Sequence, residues 1–82
     1  MVKLTRDMRG NLPRIVVEGR LESPDLAELR VQCRGRAGEL ALGGLVGADE
    51  SGWGLLRELK RAGWRVSGAS LYAARMLEEA DS

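Results

Sequence analysis

The chain has 82 residues, a formal net charge of +1, no histidine, one cysteine and 44% hydrophobic residues. This length indicates one small domain, residues 1–82, and the composition favours a folded chain over a disordered one. The near-zero charge gives no whole-molecule attraction to nucleic acid, and no apolar run approaches the ~20 residues of a membrane span. We therefore expect a cytoplasmic domain that neither binds nucleic acid nor inserts into a membrane.

The first half of the chain predicts two strands followed by a helix. Residues 2–4 alternate in polarity, and residues 14–19 are rich in β-branched side chains, so the two segments predict an antiparallel hairpin. Ser23 is followed by proline and an acid, a pattern typical of a helix start in which the serine hydroxyl caps the helix. Gly35 and Gly38 predict the end of that helix.

The second half predicts two strands, each followed by a helix. Residues 39–42 form a short apolar strand, and the glycines at 43–47 predict a tight turn. A helical pattern follows over 51–62, then a strand over 64–67, then a C-terminal helix capped by Ser70. The order is β-β-α-β-α-β-α, which predicts an α/β fold with a four-stranded mixed sheet and helices packed on one side.

The residues needed for catalysis or metal binding are missing. Without histidine the chain has no imidazole base and no imidazole metal ligand. Cys33 cannot form a thiolate metal site alone, and its helical position predicts a small buried apolar group rather than a reactive thiol. The glycines at 43, 44 and 47 lack the Gly-Lys-Ser/Thr ending of a phosphate-binding loop. We expect no enzyme activity, no cofactor and no metal.

The most specific segment runs from residue 40 to residue 56 and reads LALGGLVGADESGWGLL. It combines an apolar strand, Gly-Leu, and Asp-x-Ser-Gly opening a leucine-rich helix. In this form it resembles the STAS domain family, the sulfate transporter and anti-sigma-factor antagonist family. Weaker similarity extends over residues 15–77, through VVEGRL and VSGASLYAARML, and is closest to small stand-alone STAS-like proteins.

The resemblance implies a cytoplasmic protein–protein interaction module of a bacterial type of signalling, rather than an enzyme. In anti-sigma-factor antagonists, a serine before a glycine is phosphorylated by a partner that is both serine kinase and anti-sigma factor. Ser51, followed by Gly52, stands at that position, and Asp49 matches the family's aspartate two residues earlier. The unphosphorylated module would bind the kinase and free the sigma factor.

The residues around Ser51 also have simpler explanations. Ser51 could be the N-cap of its helix, accepting a hydrogen bond from the backbone N–H of residue 53 or 54. Trp53, at the edge of the apolar stripe, could cover the core or anchor a partner. We predict Ser51 as the phosphorylation site and Asp49, Glu50, Gly52 and Trp53 as the partner-binding residues.

Two other functions remain open at this point. One is a structural or scaffolding role, as a homodimer or as a subunit of a transport or stress-signalling complex, with Ser51 only a helix cap. The other is a nucleotide or small-ligand site in the turn at 43–52. A basic cluster on the same helix and the next strand is interpreted as a solvated face rather than a phosphate-binding site; its members are Arg57, Lys60, Arg61 and Arg65.

Overall fold

The computed structural model describes residues 2–78 and confirms the predicted order of strands and helices. A short 3₁₀ turn precedes the first α-helix. The elements are β1 (Val2–Arg9), β2 (Leu12–Leu21), the 3₁₀ turn (Ser23–Asp25), α1 (Leu26–Gln32), β3 (Glu39–Ala48), α2 (Glu50–Arg61), β4 (Arg65–Ser67) and α3 (Leu71–Glu78).

The four strands form one mixed sheet in the order β1-β2-β3-β4. β1 and β2 are antiparallel and are joined through Gly10, whose φ of 61° suits the tight hairpin connection. The β2–β3 and β3–β4 pairs are parallel. Each parallel pair is linked through a helix: α1 connects β2 to β3, and α2 connects β3 to β4. Both connections lead to the next strand in the same direction across the sheet. Because such crossovers are right-handed, α1 and α2 lie on the same face of the sheet.

The core lies between this face and the helices. Alternate residues of β2 point inward, and the same core contains the leucines of α2 and the buried residues of α3. The buried residues of the last helix are Ala73 and Leu77, and Met76 is partly buried against the same core. The largest fully buried side chains are Ile15, Val17, Leu21, Leu29, Leu40, Leu42 and Leu56.

The other face of the sheet carries a row of alternating charges. Asp7 of β1 lies opposite Arg14 of β2, Arg14 lies opposite Glu39 of β3, and Glu39 lies opposite Arg65 of β4. The Arg14 Nε and Glu39 Oε2 atoms are 3.5 Å apart. A hydrogen bond donated by the Ser67 hydroxyl, together with Arg14, lowers the pKa of Glu39. Opposite charges on neighbouring strands stabilise a sheet face that remains in contact with water.

The predicted turn at 43–47 is wrong, because β3 continues through it. Gly44 lies opposite Glu18, and Gly47 lies opposite Arg20 of β2, and the register shifts just before each of these pairs. A Cβ atom at position 44 would lie 2.8 Å from Glu18 Cγ. These glycines therefore allow close packing and local bulges within a strand, and they do not reverse the direction of the chain.

The boundaries of α1 also differ from the prediction. The 3₁₀ turn begins at Ser23 with Glu22 before it, so Ser23 is not the cap residue. The helix ends at Gln32 rather than at Gly35 or Gly38. Gly38 instead leads into β3, where a Cβ atom would lie 2.0 Å from the Pro13 carbonyl oxygen.

Candidate functional site

Asp49 is the N-cap of α2, so the alternative in which Ser51 caps this helix is wrong. Asp49 is extended, with φ −80° and ψ 177°, between the end of β3 and the start of α2. Its Oδ1 atom accepts a hydrogen bond from the Gly52 backbone N–H at 2.7 Å. Carboxylates are strong N-caps because they accept a hydrogen bond from a free N–H group, and because their negative charge interacts favourably with the positive end of the helix dipole.

The second oxygen of Asp49 joins α2 to the segment that follows β2. Its Oδ2 atom accepts hydrogen bonds from the Ser23 backbone N–H at 2.8 Å and from the Ser23 hydroxyl at 3.0 Å. The hydrogen bonds from Gly52 and then from Ser23 lower the pKa of Asp49, because they stabilise the charged form. Asp49 therefore fixes two segments that are 26 residues apart.

Gly52 is held by packing against the end of β2. It is buried, and a Cβ atom there would lie 2.7 Å from the Leu21 carbonyl oxygen and 3.0 Å from Ala48 Cβ. The same Leu21 carbonyl accepts a hydrogen bond from the Asp49 N–H at 3.1 Å. A glycine is needed here because the first turn of α2 approaches the backbone of β2.

Ser51 and Glu50 are the two predicted site residues whose side chains face solvent. Both are exposed and lie in the first turn of α2. Within residues 2–78, the Ser51 hydroxyl makes no hydrogen bond, since Asp49 provides the cap. The turn stands at the carboxyl edge of the parallel strands, where Leu21 lies opposite Ala48. The structure thus places the exposed Ser51 side chain at the rim of the sheet.

Trp53 belongs to the core. It is 3% exposed, and its ring packs edge-to-face against Tyr72 of α3 with 5.9 Å between ring centroids. This burial favours the covering role for Trp53 over that of a partner anchor. Tyr72 is 60% exposed and Leu71 is 73% exposed, so α3 supplies the accessible apolar surface on this side. Tyr72 is not among the site residues that the sequence predicted.

One member of the predicted basic cluster, Arg57, has a hydrogen-bond partner within the domain. The Arg57 Nε atom donates a hydrogen bond to the Met76 carbonyl oxygen at 2.8 Å, which ties α2 to the last turn of α3. Lys60, Arg61 and Arg65 are exposed near the other end of α2. Arg57 therefore has a structural role, Lys60 and Arg61 lie at the opposite end of α2 from Ser51, and Arg65 lies on β4.

Cys33 is buried, as expected. Desolvation raises the pKa of its thiol to about 11, although Arg6 acts in the opposite direction. The neutral thiol therefore predominates at neutral pH, and it behaves as a small apolar group.

The sequence matches no protein-family model, and no curated protein matches it significantly. None of the helices within residues 2–78 is both long enough and apolar enough to cross a membrane. In the same part of the chain, no group of three or more acidic or cysteine side chains is placed to hold a metal ion. The STAS resemblance stays a prediction.

Proposed function

We propose that the chain is a non-enzymatic protein–protein interaction module of the STAS type, resembling an anti-sigma-factor antagonist, and that phosphorylation of Ser51 switches it. The observation that carries the proposal is the exposed hydroxyl of Ser51 in the first turn of α2, which has no hydrogen-bond partner within residues 2–78. Asp49 already caps that helix, so capping gives no reason for a serine at position 51.

The surroundings of Ser51 suit a surface that a partner protein recognises. Asp49 and Gly52 fix the backbone on both sides of Glu50 and Ser51 through contacts with Ser23 and Leu21. A side chain on such a rigid turn is presented in one orientation, which lowers the entropic cost of recognition. An α/β fold with a four-stranded mixed sheet is compatible with this proposal.

The expected effect of phosphorylation is electrostatic. A phosphate adds about −1.5 to −2 charges next to the carboxylate of Glu50. The N-terminus of α2 favours this charge, so the fold should change little. A partner that packs closely against a hydroxyl would instead meet a large hydrated anion, and binding would weaken through desolvation and like-charge repulsion. The switch would act at the interface without a rearrangement of the domain.

The test is to purify partners of the tagged chain from its own cells, using the wild type, Ser51→Ala and Ser51→Glu. Ser51→Ala, which cannot be phosphorylated, should retain a serine kinase of the anti-sigma type. Ser51→Glu should lose it. Arg61→Ala is the matched control, since Arg61 is exposed on the same helix but lies at its far end; it should behave like the wild type.

If Ser51→Ala and Ser51→Glu recovered the same partners, the proposed switch at Ser51 would be contradicted. If a constant partner or a dimer remained in both variants, the scaffolding function would be favoured. That function no longer includes a capping role for Ser51, because the cap is Asp49.

A further inference from the structure

The outer edge of β1 is the longer of the two edges of the sheet. β1 has eight residues, whereas β4, at the other edge, has three. Within residues 2–78, β1 pairs only with β2; their register is uninterrupted from Val2 to Arg9, and β1 contains no proline. A long, regular edge is a template for another strand. We propose that β1 pairs antiparallel with β1 of a second copy of this chain, about a two-fold axis at Thr5, so that the two sheets join into one.

The even-numbered residues of β1 direct their backbone groups to this free edge. Arg9 and Leu12 flank the two-residue turn of the hairpin, and residues in that position exchange both backbone hydrogen bonds. Because the direction of the N–H and C=O groups alternates along a strand, those of Met8 face away from β2. Two observations agree: Met8 lies opposite Pro13, which has no N–H, and the Met8 N–H donates to Asp7 Oδ1 at 2.8 Å. The same direction holds for the other even-numbered residues: Val2, Leu4 and Arg6.

An axis at Thr5 brings these free backbone groups together. Leu4 of one copy then lies opposite Arg6 of the other, and Val2 lies opposite Met8. Directly opposite residues whose backbone groups face each other exchange two hydrogen bonds, so each of these pairs is bonded through its main chain. The Met8 N–H changes its acceptor from the Asp7 carboxylate to the Val2 carbonyl of the second copy.

The same axis pairs opposite charges on the face of the sheet away from the helices. Lys3 of one copy lies opposite Asp7 of the other, and the two copies of Thr5 lie opposite each other. In each chain Asp7 ends the row of alternating charges, and Lys3 lies opposite Glu18 of β2. The row therefore continues across the interface with alternating sign, since Asp7 meets Lys3 and Lys3 meets Glu18.

Neighbouring registers match the charges less well. The even-numbered residues face each other only when the axis passes through a residue, so the nearest alternatives are axes at Arg6 and at Leu4. An axis at Arg6 places Arg6 opposite itself and Lys3 opposite Arg9, which brings like charges together. An axis at Leu4 places Lys3 opposite Thr5 instead of an acid. The charges of β1 thus select the axis at Thr5.

The side of β1 that faces the core has apolar surface for the same contact. Met8 is 53% exposed, and Val2 and Leu4 are only partly buried against the core. In the dimer, Met8 packs against Val2 of the second copy, and Leu4 packs against the aliphatic part of Arg6. A second copy therefore covers apolar surface on one side of the strand and pairs the charges on the other.

The first test is the oligomeric state of the full chain. This inference is independent of the proposed switch, because Ser51 lies on α2 and not on β1. Sedimentation equilibrium should show a monomer that becomes a dimer as the concentration rises. Hydrogen exchange followed by NMR should show that the Leu4 and Arg6 amides become protected in the dimer, whereas the Thr5 amide, which already faces β2, is protected in both states.

A charge exchange tests the register. Lys3→Asp and Asp7→Lys each bring like charges together at both ion pairs, so each variant alone should self-associate at least about tenfold more weakly. An equal mixture of the two variants should recover the dimer. The acid introduced at position 3 of one chain then faces the lysine introduced at position 7 of the other, and the native pair remains. Lys60→Asp makes the same change on an exposed residue of α2 and should dimerise like the wild type.

A proline tests the main-chain pairing. Arg6→Pro removes an N–H that faces the free edge and makes no bond to β2, so the domain should stay folded and the dimer should be lost. Arg6→Ala removes the same side chain but keeps the N–H, and it should still dimerise. Circular dichroism and urea unfolding of both variants show whether the monomer is intact.

The inference is overturned if the wild type remains a monomer up to about 1 mM. It is also overturned if the mixture of Lys3→Asp and Asp7→Lys dimerises no better than each variant alone. A dimer that persists in a folded Arg6→Pro variant would place the contact elsewhere. Protection of the Val66 amide instead of the Leu4 amide would assign the contact to the edge of β4.

Discussion

Ser51 and Ser70 lie at the starts of neighbouring helices but have different partners. The Ser70 hydroxyl accepts a hydrogen bond from the Ala73 N–H at 3.1 Å, so Ser70 is the cap that the sequence predicted for α3. In α2, Asp49 accepts the corresponding bond, and the Ser51 hydroxyl has no partner in the part of the chain that the structure describes. The comparison shows that a serine at a helix start is explained by capping only when no stronger acceptor stands before it. The predictions below test the difference between these two turns.

Asp49→Ala should cause the largest loss of stability. It removes the hydrogen bonds from Gly52 and from the backbone and hydroxyl of Ser23, whereas a serine cap provides one bond. In urea unfolding, the free energy of unfolding of Asp49→Ala should be lower than that of Ser70→Ala. A smaller loss than that of Ser70→Ala would contradict the assignment of Asp49 as the cap of α2.

The contribution of Asp49 should also depend on pH. Hydrogen bonds lower its pKa below the ordinary value of 3.8, so its stabilisation is complete above that value and is lost as the pH falls through the folded pKa. The difference in unfolding free energy between wild type and Asp49→Ala should therefore shrink below about pH 4. A difference that stays constant down to pH 2 would show that the charge of Asp49 contributes nothing.

Gly52→Ala should destabilise the domain by about 1–3 kcal/mol, because the new methyl group would crowd the Leu21 carbonyl oxygen. Gly54 provides a matched control on the same helix, since a Cβ atom there would meet nothing within 4 Å. Gly54→Ala should stabilise the domain by about 0.5–1 kcal/mol. Thermal unfolding of both variants measures the contrast, and shifts of the same sign would argue against the close packing of α2 on β2.

Ser70→Ala should lower the unfolding free energy by about 1 kcal/mol, the usual cost of losing a helix cap. Chemical denaturation with the wild type as reference measures this loss. A stability equal to that of the wild type would mean that the Ser70 hydroxyl bond contributes nothing in solution.

Ser51→Ala should have the smallest effect on stability, within about 0.5 kcal/mol of the wild type. An exposed hydroxyl without an intramolecular partner gives the folded state no bond to lose. A loss as large as that of Ser70→Ala, measured in the same denaturation experiment, would mean that Ser51 does stabilise the helix start.

The sequence predicted the element order because hydrophobic periodicity is a local property, and that order is confirmed. It did not predict the length of β3, because Gly43, Gly44 and Gly47 have low strand propensity and their pairing with β2 is decided by tertiary register. No local pattern marks a glycine that lies inside a bulged strand rather than in a turn.

The sequence likewise predicted only part of the candidate site. The exposed first turn with Ser51 follows from the local sequence, whereas the choice of cap between Asp49 and Ser51 does not, since both residue types are good caps. Contact with Ser23, which is 26 residues away, favours Asp49. The burial of Trp53 likewise depends on Tyr72 of a later helix.

The most direct test of a functional Ser51 is mass spectrometry of the chain isolated from its own cells. Cleavage after Arg36 and Arg57 releases residues 37–57, in which Ser51 is the only side chain with a hydroxyl group. A phosphate on this peptide in the wild type, absent from Ser51→Ala, is the predicted result. An unmodified peptide under every growth condition, including stress and starvation, would contradict the account.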